Sequence, residues 1–116
     1  MRKFFKAFHY AWSGIVYGIK AERNVKFHLF ATVVVILAGL FTGLSSIEWA
    51  IVLLLIGGML SLELINAAIE RTVDLCTMER HPLAKQAKDL AAGGVLIYAV
   101  ISVVIGWMIF IPKWFN

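Results

Sequence analysis

Three apolar runs, Phe27 to Leu44, Ile47 to about Ala68 and Ala91 to Ile111, leave this chain little choice of fold. Each approaches the roughly 20 residues that a helix needs to cross the hydrocarbon core of a bilayer. In that medium the backbone must satisfy its own hydrogen bonds, which a helix does and an open strand does not. Hydrophobic residues make up 61% of the 116, well above the roughly 45–50% of soluble domains. The mean hydropathy of +0.86 agrees. The expectation is an all-α membrane protein, a single domain over residues 1–116, with no internal repeat or linker. The N-terminal stretch has neither the compact apolar core nor the small-residue cleavage site of a secretory signal, so nothing is expected to be removed.

The stretch before the first run reads differently. In "RKFFKAFHYAWSGIVYGIK", residues 2 to 20, Phe5, Phe8, Trp12, Ile15, Val16 and Ile19 recur at steps of three and four. Lys3, Lys6, His9, Ser13 and Lys20 fall largely on other faces. Such an amphipathic helix lies in the membrane surface with its apolar side down. After the first span, "GLSS" predicts a turn in which Ser45 or Ser46 caps the next helix, so the first two spans form an antiparallel hairpin. Gly39 and Gly43 stand at GxxxG spacing, Gly57 and Gly58 lie mid-span, and "AAGGV" opens the third span; all are expected to permit close helix packing. "LCTMERHPLAKQAKD" reads as a polar connection in which Pro82 can begin a new helical turn.

Basic residues sort by membrane side. Arg2, Lys3, Lys6, Lys20, Arg23 and Lys26 precede the first span, and Arg71, Arg80, Lys85 and Lys88 follow the second. The turn at 42–46 has none, and only Lys113 follows the third span. By the positive-inside rule the N-terminus and the 71–90 segment are cytoplasmic and the C-terminus external, with Trp49, Trp107 and Trp114 near the outer interface. The pI near 9.5 therefore points to phospholipid headgroups and not to nucleic acid. A single cysteine, Cys76, excludes an internal disulfide, and no CxxC or HExxH spacing is present.

Against this apolar background, "SLELINAAIERTVD" is out of place. On a helix advancing 100° per residue, Glu63, Asn66, Glu70 and Asp74 return to nearly one face and form a polar stripe entering the membrane from its cytoplasmic side. Glu63 is the deepest, about 10 Å beyond Glu70 at 1.5 Å per residue. An ionised carboxylate at depth must be partnered, hydrated or protonated. Pairing with Arg71, Arg23 or Lys88 would make the stripe helix glue; a stripe of four makes a functional site the stronger reading. Glu22 before the first span and Lys88 with Asp89 before the third add charges on the same side. Two carboxylates from different helices can hold Mg²⁺ with waters and phosphate oxygens. A lysine can neutralise phosphate and a deep Glu can take a hydroxyl proton, which together are the parts of phosphoryl transfer. No GxxxxGK[ST], GxGxxG, HRD or DFG motif accompanies them.

"ELINAAIERTVD", the "AKD" of residues 87 to 89 and the "ERN" of residues 22 to 24 resemble the small prokaryotic integral-membrane diacylglycerol kinase family over essentially the whole chain. "ERNVKFH" and "IEWA…LLIGGMLSLELINAAIE…HPLAKQAKD" are closer to its undecaprenol kinase branch. The resemblance implies a homotrimer with active sites shared between subunits, in a bacterial cell membrane, that moves the γ-phosphate of MgATP to a lipid alcohol. It implies undecaprenol as acceptor, with diacylglycerol as the alternative. It further implies Glu63 as general base, Glu22 and Glu70 as holders of the metal with ATP, and Asn66 as support. Lys88 and Asp89 would contact the nucleotide, with Glu79, Arg80 and His81 near it. Lys3 and Tyr10 match family nucleotide contacts less closely, and Ala11 replaces a serine that some members carry after that tyrosine. Asn24 and His28, one turn apart on the first span, are candidates for the lipid entrance, though His9 and His28 also read as plain interfacial residues.

Two rivals from other classes remain on the sequence alone. A proton-coupled transporter would use Glu63 as a membrane-embedded proton carrier, but the outer half offers no ionisable relay. A non-enzymatic assembly subunit would use the same charges as intramembrane salt bridges.

Overall fold

Glu22 is a joint one residue long. The computed structural model describes all 116 residues as four helices: α1 (Arg2–Ala21), α2 (Arg23–Thr42), α3 (Ser46–Cys76) and α4 (Pro82–Trp114). Between α1 and α2 only Glu22 leaves the helical region, with φ −103° and ψ 119°. Its N–H still reaches the Gly18 carbonyl and its own carbonyl accepts from the Lys26 N–H. The chain therefore changes direction with few backbone groups left unpaired, and the Glu22 carboxylate stands at the corner.

The α2–α3 turn follows the sequence closely. Gly43 takes the left-handed conformation, φ 81°, that only glycine adopts cheaply, and its N–H closes onto Gly39. Ser45 then caps α3 in a reciprocal capping box: Ser45 Oγ accepts from the Glu48 N–H (3.2 Å), and Glu48 Oε1 accepts from the Ser45 N–H (2.9 Å). At the other end, Thr77 terminates α3 in an extended conformation. His81 caps α4 by accepting the Leu83 N–H on Nδ1 (3.1 Å), with Pro82 in the first turn.

Two expectations are corrected here. The polar connection is only five residues long, 77–81, because α3 runs on to Cys76; α4 begins at Pro82, the residue expected to open a helical turn, well before the apolar run at Ala91. Leu83, Ala84, Lys85, Gln86, Ala87 and Lys88 are all good helix formers, so polarity there marks a solvated extension of the helix and not a loop. The glycines also divide. Gly39 lets Trp49 approach to 2.7 Å of where a Cβ would sit, and Gly58 accommodates the Tyr98 ring, whose hydroxyl donates to the Leu54 carbonyl (2.9 Å). Gly43 serves the turn, while Gly57, Gly93 and Gly94 meet nothing within the chain. The close packing expected of "AAGGV" is thus not made by one copy.

α2, α3 and α4 are each long and apolar enough to cross a membrane. α4, at 33 residues, accounts for most of the 54 Å length of the molecule at about 1.5 Å per residue. Val52, Ile109 and Phe110 form a small core, flanked by Val35, Ala38, Trp49 and Ile105. Near it, Trp114 Nε1 donates to Thr42 Oγ1 (2.8 Å) and Lys113 pairs with Glu48 (3.1 Å). Only 10 of the 116 residues are buried, so most apolar side chains of the spanning helices face outward, as lipid contact allows. The joint at Glu22, the end of α3 and the start of α4 are tied together by ion pairs at the opposite end of the bundle.

Candidate active site

The polar stripe of α3 is anchored by α2 at its deep end. Glu63 is 5% exposed and Asn66 8%, the only buried polar residues of the chain. The one basic side chain within 4 Å of the Glu63 carboxylate is His28 of α2, with Nε2 3.2 Å from Oε1. One turn along, Asn66 Nδ2 donates to Glu70 Oε1 (3.4 Å), while Asn66 Oδ1 is buried without any donor. An amide oxygen buried and unpaired is costly, so a ligand that satisfies it gains by doing so.

Arg71 crosses from α3 to the α1–α2 joint. Nη1 pairs with Glu22 Oε1 and also donates to the Ala67 carbonyl (3.3 Å). Nη2 donates to the Tyr17 hydroxyl (3.5 Å), and the guanidinium lies 5.0 Å from the centre of the Tyr17 ring. α1 is thereby fastened to α3, helped by Gly18, which packs directly on Leu64. Of the pairings that would reduce the stripe to helix glue, Arg71 and Lys88 each make one, to Glu22 and Asp74 respectively. No Lys or Arg forms an ion pair with Glu63 or Glu70.

At the α3–α4 corner a cavity of about 680 Å³ opens, lined among others by Asp74, Glu79, Arg80, His81, Lys88 and Asp89. Lys88 Nζ lies 2.7 Å from Asp74 Oδ1, and Lys85 pairs with Asp89 one turn away. These groups lie beyond the apolar runs. The Asp74 carboxylate raises the pKa of Lys88 above its ordinary range, and Asp89 does the same for Lys85. Glu22 likewise raises that of Arg71. All three are therefore cations at neutral pH. In the cavity Lys85, Lys88 and Arg80 stand among the carboxylates of Asp74, Glu79 and Asp89, so its lining carries both signs of charge, with lysines within reach of a polyphosphate.

The residues picked from sequence thus fall into two groups and a remainder. Glu79, Arg80, His81, Lys88 and Asp89 line the cavity. Glu63, Asn66 and Glu70 form the buried stripe, and Glu22 stands beside it through Arg71, a neighbour of Glu70 in sequence. Lys3, Tyr10 and Asn24 are exposed and touch neither group. His28 is not a plain interfacial residue, since it faces Glu63. Asp74 is about 16 Å farther along α3 than Glu63 at 1.5 Å per residue, so the cavity and the deepest acid are far apart, with Glu70 between them.

For Mg²⁺ the donor set fits. Asn66 Oδ1 and the Glu70 carboxylate are adjacent hard oxygens, one of them unsatisfied. Glu22 gives one oxygen to Arg71 and retains the other. No cage of three or more His, Cys, Asp or Glu side chains forms within the chain. A nucleotide-bound Mg²⁺ does not require one, because it keeps waters and phosphate oxygens.

Comparison with known proteins fixes the class. The prokaryotic diacylglycerol kinase family model matches residues 9–110. The chain belongs to this family. It is 55% identical to an undecaprenol kinase of Bacillus subtilis over 97% of its own length and 92% of the relative's. It is 40% identical to a diacylglycerol kinase of Synechocystis over 91% of its length, spanning 61% of that longer protein. A diacylglycerol kinase of Helicobacter pylori is 31% identical over 99% of this chain and 90% of the relative. The protein is accordingly a membrane-embedded lipid kinase, which displaces the transporter and assembly-subunit readings.

Within this kinase, sequence reasoning missed the role of three side chains. Tyr17 was counted with neither face of α1, although an aromatic one turn before the joint is placed to meet a cation at the end of α3. Arg71 was seen only as a candidate partner, not as the strap between α1 and α3. His28 shares a helical face with Asn24 one turn before it and Thr32 one turn after it, and only the packing of α2 on α3 reveals Glu63 as its partner.

Proposed function

We propose that this protein transfers the γ-phosphate of MgATP to the hydroxyl of undecaprenol, at the cytoplasmic face of a bacterial cell membrane. The observation that carries the reading is the 55% identity, over nearly the whole chain, to a protein named undecaprenol kinase. The geometry supports it with a buried carboxylate on a membrane-spanning helix and, farther along the same helix, an open cavity lined by charged side chains, three lysine or arginine residues among them.

Glu63 is the general base. Its depth places it where a lipid hydroxyl arrives, and it accepts the hydroxyl proton while the alcohol oxygen bonds to the γ-phosphorus and the bond to the β-phosphate oxygen breaks. Glu70 and Asn66 Oδ1, with the free oxygen of Glu22, would hold the metal. Mg²⁺ supplies charge that neutralises the phosphate oxygens during transfer. Lys88 and Arg80, with Lys85, offset the remaining nucleotide charge from the cavity, where Glu79, His81 and Asp89 contact the rest of the nucleotide. The triphosphate runs from the cavity towards Glu70, along part of the roughly 16 Å that separate Asp74 from Glu63. A homotrimer with sites shared between copies accommodates that separation, and it gives the outward apolar faces a partner besides lipid. The positive-inside pattern places the N-terminus and residues 71–90 in the cytoplasm and the C-terminus outside.

Diacylglycerol is the second acceptor worth testing, because relatives at 40% and 31% identity are named for it. Purified protein in mixed micelles, given ATP labelled at the γ-phosphate and each alcohol in turn, should label undecaprenol with the higher kcat/KM. Preferential labelling of diacylglycerol hands the assignment to the second reading. Folded protein that labels neither removes both.

A further inference from the structure

We propose that His28 is a positioning residue for the catalytic base, donating from Nε2 to Glu63 Oε1 and so leaving the second carboxylate oxygen to meet the substrate hydroxyl. The proposal rests on the kinase reading of Glu63 and assigns the group that makes that carboxylate usable.

The geometry begins with an imbalance. Glu63 is almost completely buried, and a buried carboxylate needs a hydrogen-bond donor or a cation to remain ionised. Neighbouring polar groups on its own helix are committed elsewhere: Asn66 Nδ2 to Glu70, and Arg71 to Glu22, Ala67 and Tyr17. No Lys or Arg approaches Glu63, and from α2 the approach is made by His28 alone, at 3.2 Å. At that ion-pair distance an imidazole with its proton on Nε2, or an imidazolium, can be turned to supply the missing donor.

His28 is also held firmly enough to aim a partner. It lies within the regular part of α2, its carbonyl accepts from Thr32 Oγ1 (2.7 Å), and its ring stands edge-on to Phe27 at 5.4 Å. The ring side chain is 19% exposed against 6% for Glu63, so the histidine lies on the more open side of the acid. A second helix therefore fixes the orientation of the base. Because a misplacement of about 1 Å can cost two orders of magnitude in rate, such a contact acts on turnover. A residue that merely lined the lipid entrance would act on lipid binding.

The two roles separate with a pair of amide variants. His28→Gln places its amide nitrogen close to the position of Nε2, whereas His28→Asn is a methylene too short; both remain polar and hydrogen-bond capable. With the wild type turning over undecaprenol, His28→Asn should lose on the order of a hundredfold in kcat, with the lipid KM changed less than about threefold. His28→Gln should recover most of that loss. His28→Leu serves as the fully deleted donor and should match His28→Asn, provided that thermal melting shows it folded. Equal kcat for the Gln and Asn variants, or a loss confined to the lipid KM, overturns the proposal while leaving the kinase reading intact. A wild type that phosphorylates no lipid alcohol removes both together.

Discussion

The two ends of this helical bundle spend their polar residues in opposite ways. At the end holding the α2–α3 turn, every polar side chain in contact is used up by structure. Glu48 accepts from the Ser45 N–H and pairs with Lys113, Ser45 accepts from the Glu48 N–H, and Trp114 donates to Thr42. At the other end, Arg71–Glu22 and Lys88–Asp74 likewise tie helices together, but two buried groups between them are left short: Asn66 Oδ1 has no donor and Glu63 has only an imidazole. A charge whose hydrogen bonds are all made is a fastener. One held in an apolar setting with capacity to spare is poised for a ligand, and it is retained at a cost to stability that a purely structural residue need not incur.

The sharpest way to break this contrast is to remove one carboxylate from each end. Glu63→Gln keeps the volume but cannot take a proton, so turnover should fall on the order of 10³-fold, the usual contribution of a general base. The melting temperature should change little, because an amide can still meet His28. Glu48→Gln should do the reverse, lowering the melting temperature with turnover within about twofold of wild type, since it touches only the cap and Lys113. Comparable turnover losses from both substitutions would show that the ends are not functionally distinct. A smaller effect is expected in the cavity. Lys88→Met deletes a cation facing the nucleotide, which should raise the KM for ATP on the order of tenfold and shrink the rise in melting temperature caused by MgATP by mass action. If that MgATP-dependent rise is unchanged in Lys88→Met, the cavity is not where the nucleotide sits.

This difference between the ends was only partly legible in the sequence. Hydropathy located three spanning helices because lipid imposes length and composition so strictly, and "GLSS" located the turn because Ser45 and Gly43 each meet a local requirement of geometry. The stripe of Glu63, Asn66, Glu70 and Asp74 was legible for the same reason: helical periodicity is local. The end of α3 at Cys76 and the continuity of α4 through "LAKQAKD" were not, although Pro82 marked where a helical turn begins, because polar residues that favour helix carry no apolar periodicity. Nor was the pairing of His28 with Glu63 or of Tyr17 with Arg71. Those contacts join positions 35 and 54 residues apart and depend on how α1 and α2 rotate against α3, which no local pattern records.

The smallest predicted effect tests the fastening end by itself. Ser45→Ala removes the hydroxyl that accepts the Glu48 N–H and breaks the reciprocal box at the start of α3. Loss of such a cap costs about 1 kcal/mol, which should appear as a drop of a few degrees in the melting temperature measured in detergent. Lipid-kinase turnover per folded protein should be unchanged, because the cap lies about 27 Å from Glu63 along α3 at 1.5 Å per residue. The informative result is the opposite one. If Ser45→Ala lowered kcat without lowering the melting temperature, the α2–α3 turn would have to transmit its geometry down the length of both helices to the His28–Glu63 contact, and the fastening end could no longer be regarded as independent of the catalytic one.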